Sequence, residues 1–245
     1  GRGIDIVLAI DSSISMNAMD LKPTRLESAK ATAARFVRGR AEDRIGLVTF
    51  GGAPLLACPL TVDYDALVER VGSLEGGMTK ADGTAVGDGL VSALRRLKES
   101  TAKSKVVVLL TDGRSNAGAV DPLTAAKAAA GMGVKVYAIG TATRGESVMQ
   151  VEDPRFGKVT VPVGDDLDEE TLSQVARLTG GRYWRAESAT ALRSVYDEID
   201  RLEKSAVKLP DLVVKDELYF WPVLLAALLL LVEAALSATW LLRWP

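Results

Sequence analysis

Residues 4–15 read IDIVLAIDSSIS and join a short apolar run directly to a group of polar side chains. The run from Ile4 to Ile10 predicts a buried strand, because strands of a parallel sheet are covered on both faces and are apolar along their length. Asp11 ends the run, and Ser13 and Ser15 follow at alternate positions. In open α/β sheets the functional crevice lies at the carboxyl ends of the strands. We therefore expect a site at this end of the strand.

Outward from this stretch, apolar runs alternate with helical patterns along most of the chain. Further strands are predicted at 44–50, 105–110, 134–139 and 182–185, and helices at 24–39, 63–74, 84–98, 121–130, 167–178 and 189–204. This alternation indicates βαβ units in a doubly wound, mostly parallel α/β sheet of the Rossmann-like kind. Pro59 interrupts another run at 55–60, which predicts an edge strand. Residues 144–166 are rich in glycine and proline and predict a β-hairpin insertion.

The composition excludes several kinds of site. The 245 residues contain no histidine and one cysteine, Cys58, and the formal net charge is -2. Histidine-based zinc sites, Ser-His-Asp triads, internal disulfides and thiolate clusters are therefore excluded. The slightly negative charge gives no electrostatic support for nucleic-acid binding.

The C-terminal region differs from the rest in hydrophobicity. Residues 218–242 read LYFWPVLLAALLLLVEAALSATWLL and contain one charge, Glu233. A helix of about 20 apolar residues crosses a bilayer core, so a transmembrane helix is predicted at 218–243, after a linker at 206–217. The alternative is a buried core helix. Arg243 after the segment favours a cytoplasmic C-terminus and a globular domain on the other side of the membrane. Because an exported domain needs a targeting segment, we expect a further portion of chain before Gly1.

Three groups of oxygen-bearing side chains are expected at one edge of the sheet. Asp11, Ser13 and Ser15 follow the first strand, Thr84 is placed at a helix start, and Asp112 follows the strand at 105–110. Hydroxyls and carboxylates without nitrogen or sulfur suit a hard cation, with Mg²⁺ expected and Mn²⁺ or Ca²⁺ as alternatives. Two carboxylates nearly balance such an ion and leave it able to bind an acidic ligand. The competing interpretation of these residues is ordinary turn and helix-cap chemistry.

The pattern D-x-S-x-S at 11–15, Thr84, and T-D-G at 111–113 resembles the metal-ion-dependent adhesion site of von Willebrand factor A-type (VWA) domains. The resemblance implies that Ser13, Ser15 and Thr84 coordinate the ion through their hydroxyls. It also implies that Asp11 and Asp112 act directly or through water, and that a partner protein supplies a carboxylate to the open position. Asp82 and Asp88 are not expected to be ligands, but to cap the helix or remain solvated.

Two longer stretches, VGDGL at 86–90 and the sequence of 168–205, resemble the bacterial Bat (aerotolerance) inner-membrane VWA proteins. This resemblance implies a VWA domain over 1–205 in the periplasm and a membrane helix near the C-terminus. It implies other Bat-type subunits as partners and an indirect link to a MoxR-type AAA+ ATPase. We expect a binding module and not an enzyme. The alternatives are a metal-dependent hydrolase or phosphatase on the same fold, and a scaffold subunit of a MoxR-type system.

Overall fold

Strands and helices alternate through the parts of the chain that the computed structural model describes, residues 3–153, 155, 157–208 and 220–239. The strands are β1 (Asp5–Asp11), β2 (Arg44–Phe50), β3 (Pro54–Thr61), β4 (Lys105–Thr111), β5 (Val134–Gly140), β6 (Ser147–Asp153), β7 (Gly157–Val163) and β8 (Tyr183–Arg185). The helices are α1 (Arg25–Arg38), α2 (Tyr64–Gly72), α3 (Val86–Leu97), α4 (Pro122–Gly131), α5 (Glu169–Leu178), α6 (Ala189–Lys208) and α7 (Phe220–Thr239).

Six of these strands form the central sheet, in the order β3-β2-β1-β4-β5-β8. All neighbouring strands are parallel except β3, which pairs antiparallel with β2 at the edge. The predicted mostly parallel sheet and its edge strand are thus confirmed. In the register of β1 and β4, Ile10 lies opposite Leu110. The two strands therefore end side by side, which places the residues after each of them at the same point of the sheet edge.

Helices cover both faces of this sheet, and β1 shows why. Its side chains alternate between the faces, with Ile6, Leu8 and Ile10 in one apolar cluster and Val7 and Ala9 in the other. The first cluster includes residues of α1, α2 and α6, and the second includes residues of α3, α4 and α5. Burying one large aliphatic side chain stabilises a fold by roughly 1.5–3 kcal/mol. Covering both faces makes β1 a rigid support for the residues that follow it.

Helix starts follow the predicted caps in most cases. The hydroxyl of Thr24 accepts a hydrogen bond from the Glu27 amide at 3.1 Å and begins α1. Asp121 caps α4, in which Pro122 is the first residue. The predicted start of α3 at Thr84 is wrong by two residues, since this helix begins at Val86 without a side-chain cap.

The predicted β-hairpin consists of β6 and β7, paired antiparallel from Ser147–Val163 to Asp153–Gly157. The Met19 amide donates a hydrogen bond to the Val148 carbonyl at 2.9 Å, and Ala18 forms an isolated antiparallel bridge with Met149. The hairpin is therefore attached to the loop between β1 and α1, which carries Ser13 and Ser15.

The chain divides into two compact units, Gly1–Lys208 and Leu209–Pro245. In the first, α6 continues to Lys208 and takes up the first residues of the predicted linker; residues 209–217 lie outside the described residues. In the second, α7 covers most of the predicted transmembrane segment, and residues 218, 219 and 240–243 again lie outside. Among the residues described, no helix has the combined length and apolarity of a membrane span. The predicted transmembrane helix is therefore unsupported by this part of the chain.

Candidate metal centre

A cavity of about 330 Å³ opens at the carboxyl ends of β1 and β4. Four of the five predicted ligands line it: Ser13, Ser15, Thr84 and Asp112. They come from three separate loops, which the sheet register and the loop hydrogen bonds bring together. We call this space the site cavity.

The serines and Asp112 are in direct contact. The hydroxyl oxygens of Ser13 and Ser15 are 3.0 Å apart, and the Ser15 hydroxyl donates to Oδ1 of Asp112 at 2.9 Å. Residues 97 positions apart in the chain therefore share one hydrogen-bonded group. Ser13 is extended and precedes a 3-10 turn, Ile14–Asn17, and this turn directs the Ser15 hydroxyl toward Asp112.

Asp11 lies behind this group and is fully buried. Its Oδ1 accepts the Ser13 amide at 2.8 Å, and its Oδ2 accepts the Thr111 hydroxyl at 2.6 Å. The side chain thus links the ends of β1 and β4 and fixes the backbone of Ser13. Of the predicted ligands, Asp11 is the one that does not line the site cavity.

Thr84 is held in place by its backbone. Its amide donates to Oδ1 of Asn116 at 2.7 Å, and its carbonyl accepts the Asn116 amide at 3.1 Å. The neighbouring Ala85 amide donates to the Gly51 carbonyl at 2.7 Å. Because these contacts define the backbone here, the Thr84 hydroxyl does not cap α3 and remains available to the site cavity.

The loop before Thr84 packs directly on Gly52. The Gly52 amide donates to the Ala81 carbonyl at 3.1 Å, and a Cβ atom on Gly52 would overlap the carbonyl oxygen of Asp82. The position therefore needs glycine because of a close backbone approach.

Gly52→Ala is expected to displace the 81–84 loop and to lower the free energy of unfolding by about 1–3 kcal/mol, as overpacked sites do. Urea denaturation measures this change. Gly72→Ala is the matched control, because a Cβ atom at Gly72 meets nothing within 4 Å. Equal stability of the two variants would contradict this account of Gly52.

Arg25, at the start of α1, is a site residue that the sequence analysis missed. It is 1% exposed, and its NH1 group donates to Oδ2 of Asp112 at 2.8 Å. Its Nε and NH2 groups donate to the two oxygens of Asp20, each at 2.7 Å. Asp20 also accepts the amide and the hydroxyl of Thr143, both at 2.9 Å. An arginine therefore connects the site to the loop after β5.

The electrostatics of the group follow from burial and from these contacts. Burial, and next the charge of Asp112, raise the pKa of Asp11 to about 7. Burial also raises the pKa of Asp112, although Arg25 opposes the shift. For Asp20 burial acts in the same direction, but hydrogen bonds from Arg25 and Thr143 outweigh it and lower the pKa to about 2. Asp11 and Asp112 are thus held close together in the interior, and this arrangement disfavours the charged form of each carboxyl group.

These residues fit a hard divalent cation. In the described part of the chain, no three His, Cys, Asp or Glu side chains form a metal-binding group, so an ion here needs the hydroxyls as ligands. When ionised, Asp11, Asp20 and Asp112 together with Arg25 carry a net charge of minus two, which a divalent ion would neutralise. Buried charges are tolerated when they are compensated in this way.

The two other acidic residues near Thr84 have different roles. Asp82 lines the site cavity and is exposed. Asp88 was predicted to cap the helix or to remain solvated, and this prediction is wrong. Its carboxylate accepts the amides of Ala119 and Val120 at 3.0 and 2.8 Å. Its carboxylate therefore holds the loop between β4 and α4.

Comparison with known proteins agrees with this architecture. Residues 5–198 match the family model of the von Willebrand factor type A domain. A UPF0353 protein of Nocardia farcinica is 31% identical over 214 residues, which cover 80% of this chain and 62% of that protein. The chain thus spans less than two thirds of that relative's length.

Solved structures show the same fold. BatB, a conserved hypothetical protein from Bacteroides thetaiotaomicron, has a TM-score of 0.71 and 27% identity, covering 82% of this chain and 100% of that chain. An aerotolerance-related membrane protein from Bacteroides fragilis has a TM-score of 0.69 and 26% identity, covering 81% and 100%.

A more distant structure is that of proximal thread matrix protein 1 from the mussel byssus, described as having a zinc-occupied MIDAS (metal-ion-dependent adhesion site) motif. It has a TM-score of 0.64 and 20% identity, and covers 82% of this chain and 46% of that chain. At this identity the similarity concerns the fold alone. Because the family model covers most of the chain, this protein belongs to the von Willebrand factor type A domain family, and its similarity to BatB confirms the predicted Bat-type relationship.

Proposed function

We propose that the chain is a binding module, in which the site cavity holds one divalent cation, Mg²⁺ in the first instance, and a protein partner completes the coordination of that ion with a carboxylate. The ligands would be Asp11, Ser13, Ser15, Thr84 and Asp112, with Asp11 acting from behind the serines. The observation that carries the proposal is the convergence of oxygen atoms from three loops in one cavity.

The donor set supports the choice of ion. Hydroxyl and carboxylate oxygens are ligands for Mg²⁺, Mn²⁺ and Ca²⁺. When bound, such an ion supplies a positive charge that attracts an acidic ligand. The zinc described for the mussel byssus protein shows that another chain of this fold holds a divalent ion at its MIDAS motif.

The surroundings of the site cavity suit a protein ligand. Ile14, which is 45% exposed, lies at the cavity together with the exposed cations Lys80 and Arg114. An apolar side chain and two cations beside a cavity give a partner further contacts around its acidic residue. Interfaces commonly combine such apolar and charged contacts.

The phosphatase alternative receives less support from the geometry. Asp11 occupies the position after the first strand where a phosphoryl acceptor would be expected. Both of its oxygens already accept hydrogen bonds, from Ser13 and Thr111, and the side chain is fully buried. The arrangement therefore favours a role for Asp11 in organising the site over a role as nucleophile.

We further propose that residues 218–243 anchor the domain in a bacterial inner membrane, with the domain in the periplasm and Bat-type subunits among its partners. Support comes from exposed leucines of α7, namely Leu224, Leu228, Leu229, Leu230, Leu231 and Leu236. The aerotolerance-related structure is itself described as a membrane protein.

Metal-dependent capture of a partner tests the proposed function. We expect the tagged full chain to retain a partner from detergent-extracted membranes in Mg²⁺, to lose it in chelator, and to regain it when Mg²⁺ is restored. Asp112→Asn should lose at least about 90% of the capture, since truncating a buried charged contact costs 2 kcal/mol or more. Quantitative mass spectrometry measures the retained protein.

Asp197→Asn is the control variant, because Asp197 is an exposed carboxylate on α6. Capture that is unaffected by chelator and by Asp112→Asn would contradict the proposed function. The membrane anchor is tested by fractionating bacterial cells that produce either the full chain or a chain that ends at Lys208. If both chains show the same distribution between the membrane and soluble fractions, the anchor is refuted.

A further inference from the structure

Both oxygens of Asp112 already have hydrogen-bond donors. Oδ1 accepts the Ser15 hydroxyl and Oδ2 accepts the Arg25 guanidinium. The donor at Oδ2 is a buried charged group with 1% exposure, so this contact is well shielded from solvent. A cation that enters the site cavity therefore finds Oδ2 of Asp112 already paired with the positive charge of Arg25.

Arg25 does not need its contact with Asp112 to balance its own buried charge. Asp20 binds the guanidinium through two hydrogen bonds and is itself 6% exposed. That two-point pairing supplies one full counter-charge to the arginine. The third contact, from NH1 to Asp112, is directed at the site and is not required for charge balance within the Arg25–Asp20 pair.

This contact bears on which ion the site accepts. Ca²⁺ takes six to eight oxygen ligands and often binds a carboxylate through both oxygens, whereas Mg²⁺ is smaller, requires an octahedral arrangement and is bound by few carboxylates. An ion bound to Oδ2 of Asp112 would lie close to the positive Arg25 guanidinium, whereas the donor at Oδ1 is the neutral Ser15 hydroxyl. Charge repulsion therefore directs an ion in the site cavity to Oδ1.

We propose that Arg25 is a positioning residue that sets the ion preference of the site. By placing a positive charge at Oδ2 of Asp112 it opposes two-oxygen binding and so disfavours Ca²⁺ relative to Mg²⁺. Its positive charge also lowers the affinity for any divalent ion, which leaves the ion dependent on a partner's carboxylate for tight binding. This inference rests on the proposed function, since it requires that the site cavity binds a cation.

The test compares two variants that differ only at position 25. Asp20→Asn retains Arg25 on Asp112, and Asp20→Asn/Arg25→Met removes the guanidinium without leaving a buried charge at position 20. Isothermal titration calorimetry of the full chain with MgCl₂ and with CaCl₂ gives the two dissociation constants for wild type and for each variant. Circular dichroism checks that each variant is folded. Arg25→Gln in the Asp20→Asn background replaces the methionine variant if that variant does not fold.

We expect the double variant to bind Ca²⁺ at least about tenfold more tightly than Asp20→Asn, because a unit charge that opposes a divalent ion at close range is removed. The gain for Mg²⁺ should be smaller, so that the preference for Mg²⁺ over Ca²⁺ narrows by about threefold or more. A purely structural arginine would not change this ratio.

Two results would overturn the inference, and they differ in what they imply. If wild type binds ions but the ratio of the Mg²⁺ and Ca²⁺ affinities is the same in Asp20→Asn and in the double variant, Arg25 does not set the preference, and the proposed function stands. If wild type binds neither ion, the proposed function itself fails, and the role of Arg25 fails with it.

Discussion

Arg25→Ala is expected to lower the free energy of unfolding by about 3–5 kcal/mol, because removing one partner of a buried ion pair leaves uncompensated charge in the interior. Two buried carboxylates lose their counter-ion in this variant, Asp20 and Asp112. The pKa of Asp20, which hydrogen bonds from Arg25 and Thr143 lower to about 2, would rise in this variant. Urea denaturation in the presence of chelator measures the effect without a contribution from bound ions.

The matched control is Arg35→Ala, on the same helix. Arg35 pairs with Asp197 at 2.8 Å, but the two side chains are 55% and 65% exposed. Exposed pairs of this kind contribute roughly 0–1 kcal/mol, so this variant should remain close to wild type. If the two arginine variants are equally stable, the buried network is not a principal source of stability.

Mg²⁺ or Mn²⁺ is expected to raise the melting temperature of the full chain by ~5–10 °C at a free concentration 100-fold above the dissociation constant, because a ligand that binds only the folded state adds about 2.7 kcal/mol at that excess. Ser13→Ala should remove most of the rise. Its hydroxyl is one of the two that meet beside Asp112. Differential scanning calorimetry with and without metal gives the shift.

Ser194→Ala controls for the loss of a serine hydroxyl, since Ser194 is an exposed residue of α6 whose hydroxyl donates to the Thr190 carbonyl of the same helix. This variant should show the full metal-dependent rise. A melting curve of wild type that does not change with millimolar metal would be strong evidence against ion binding in the site cavity.

The sheet and the assembly of four predicted ligands in one cavity could be anticipated because both follow from local patterns. Apolar runs such as 4–10 and 105–110 indicate buried parallel strands. The ends of such strands meet at one edge, so the chemistry of Ser13 and Asp112 could be placed together without coordinates. The register of β1 and β4, which are parallel neighbours with Ile10 opposite Leu110, agrees with both predictions.

The start of α3 and the role of Arg25 could not be anticipated, for two different reasons. Thr84 is a residue type that often caps helices, but its tertiary hydrogen bonds with Asn116 fix its backbone two residues before the helix. Arg25 lies in the first turn of α1, where an arginine has the appearance of an ordinary surface residue. Its burial depends on Asp20 and Asp112, and the second of these is 87 positions away in the chain.

The attachment of the hairpin to the loop between β1 and α1 has a mechanical consequence. The Met19 amide is bonded to the Val148 carbonyl, and Ala18 bridges to Met149. A displacement of β6 would therefore act directly on the segment that carries Ser13 and Ser15.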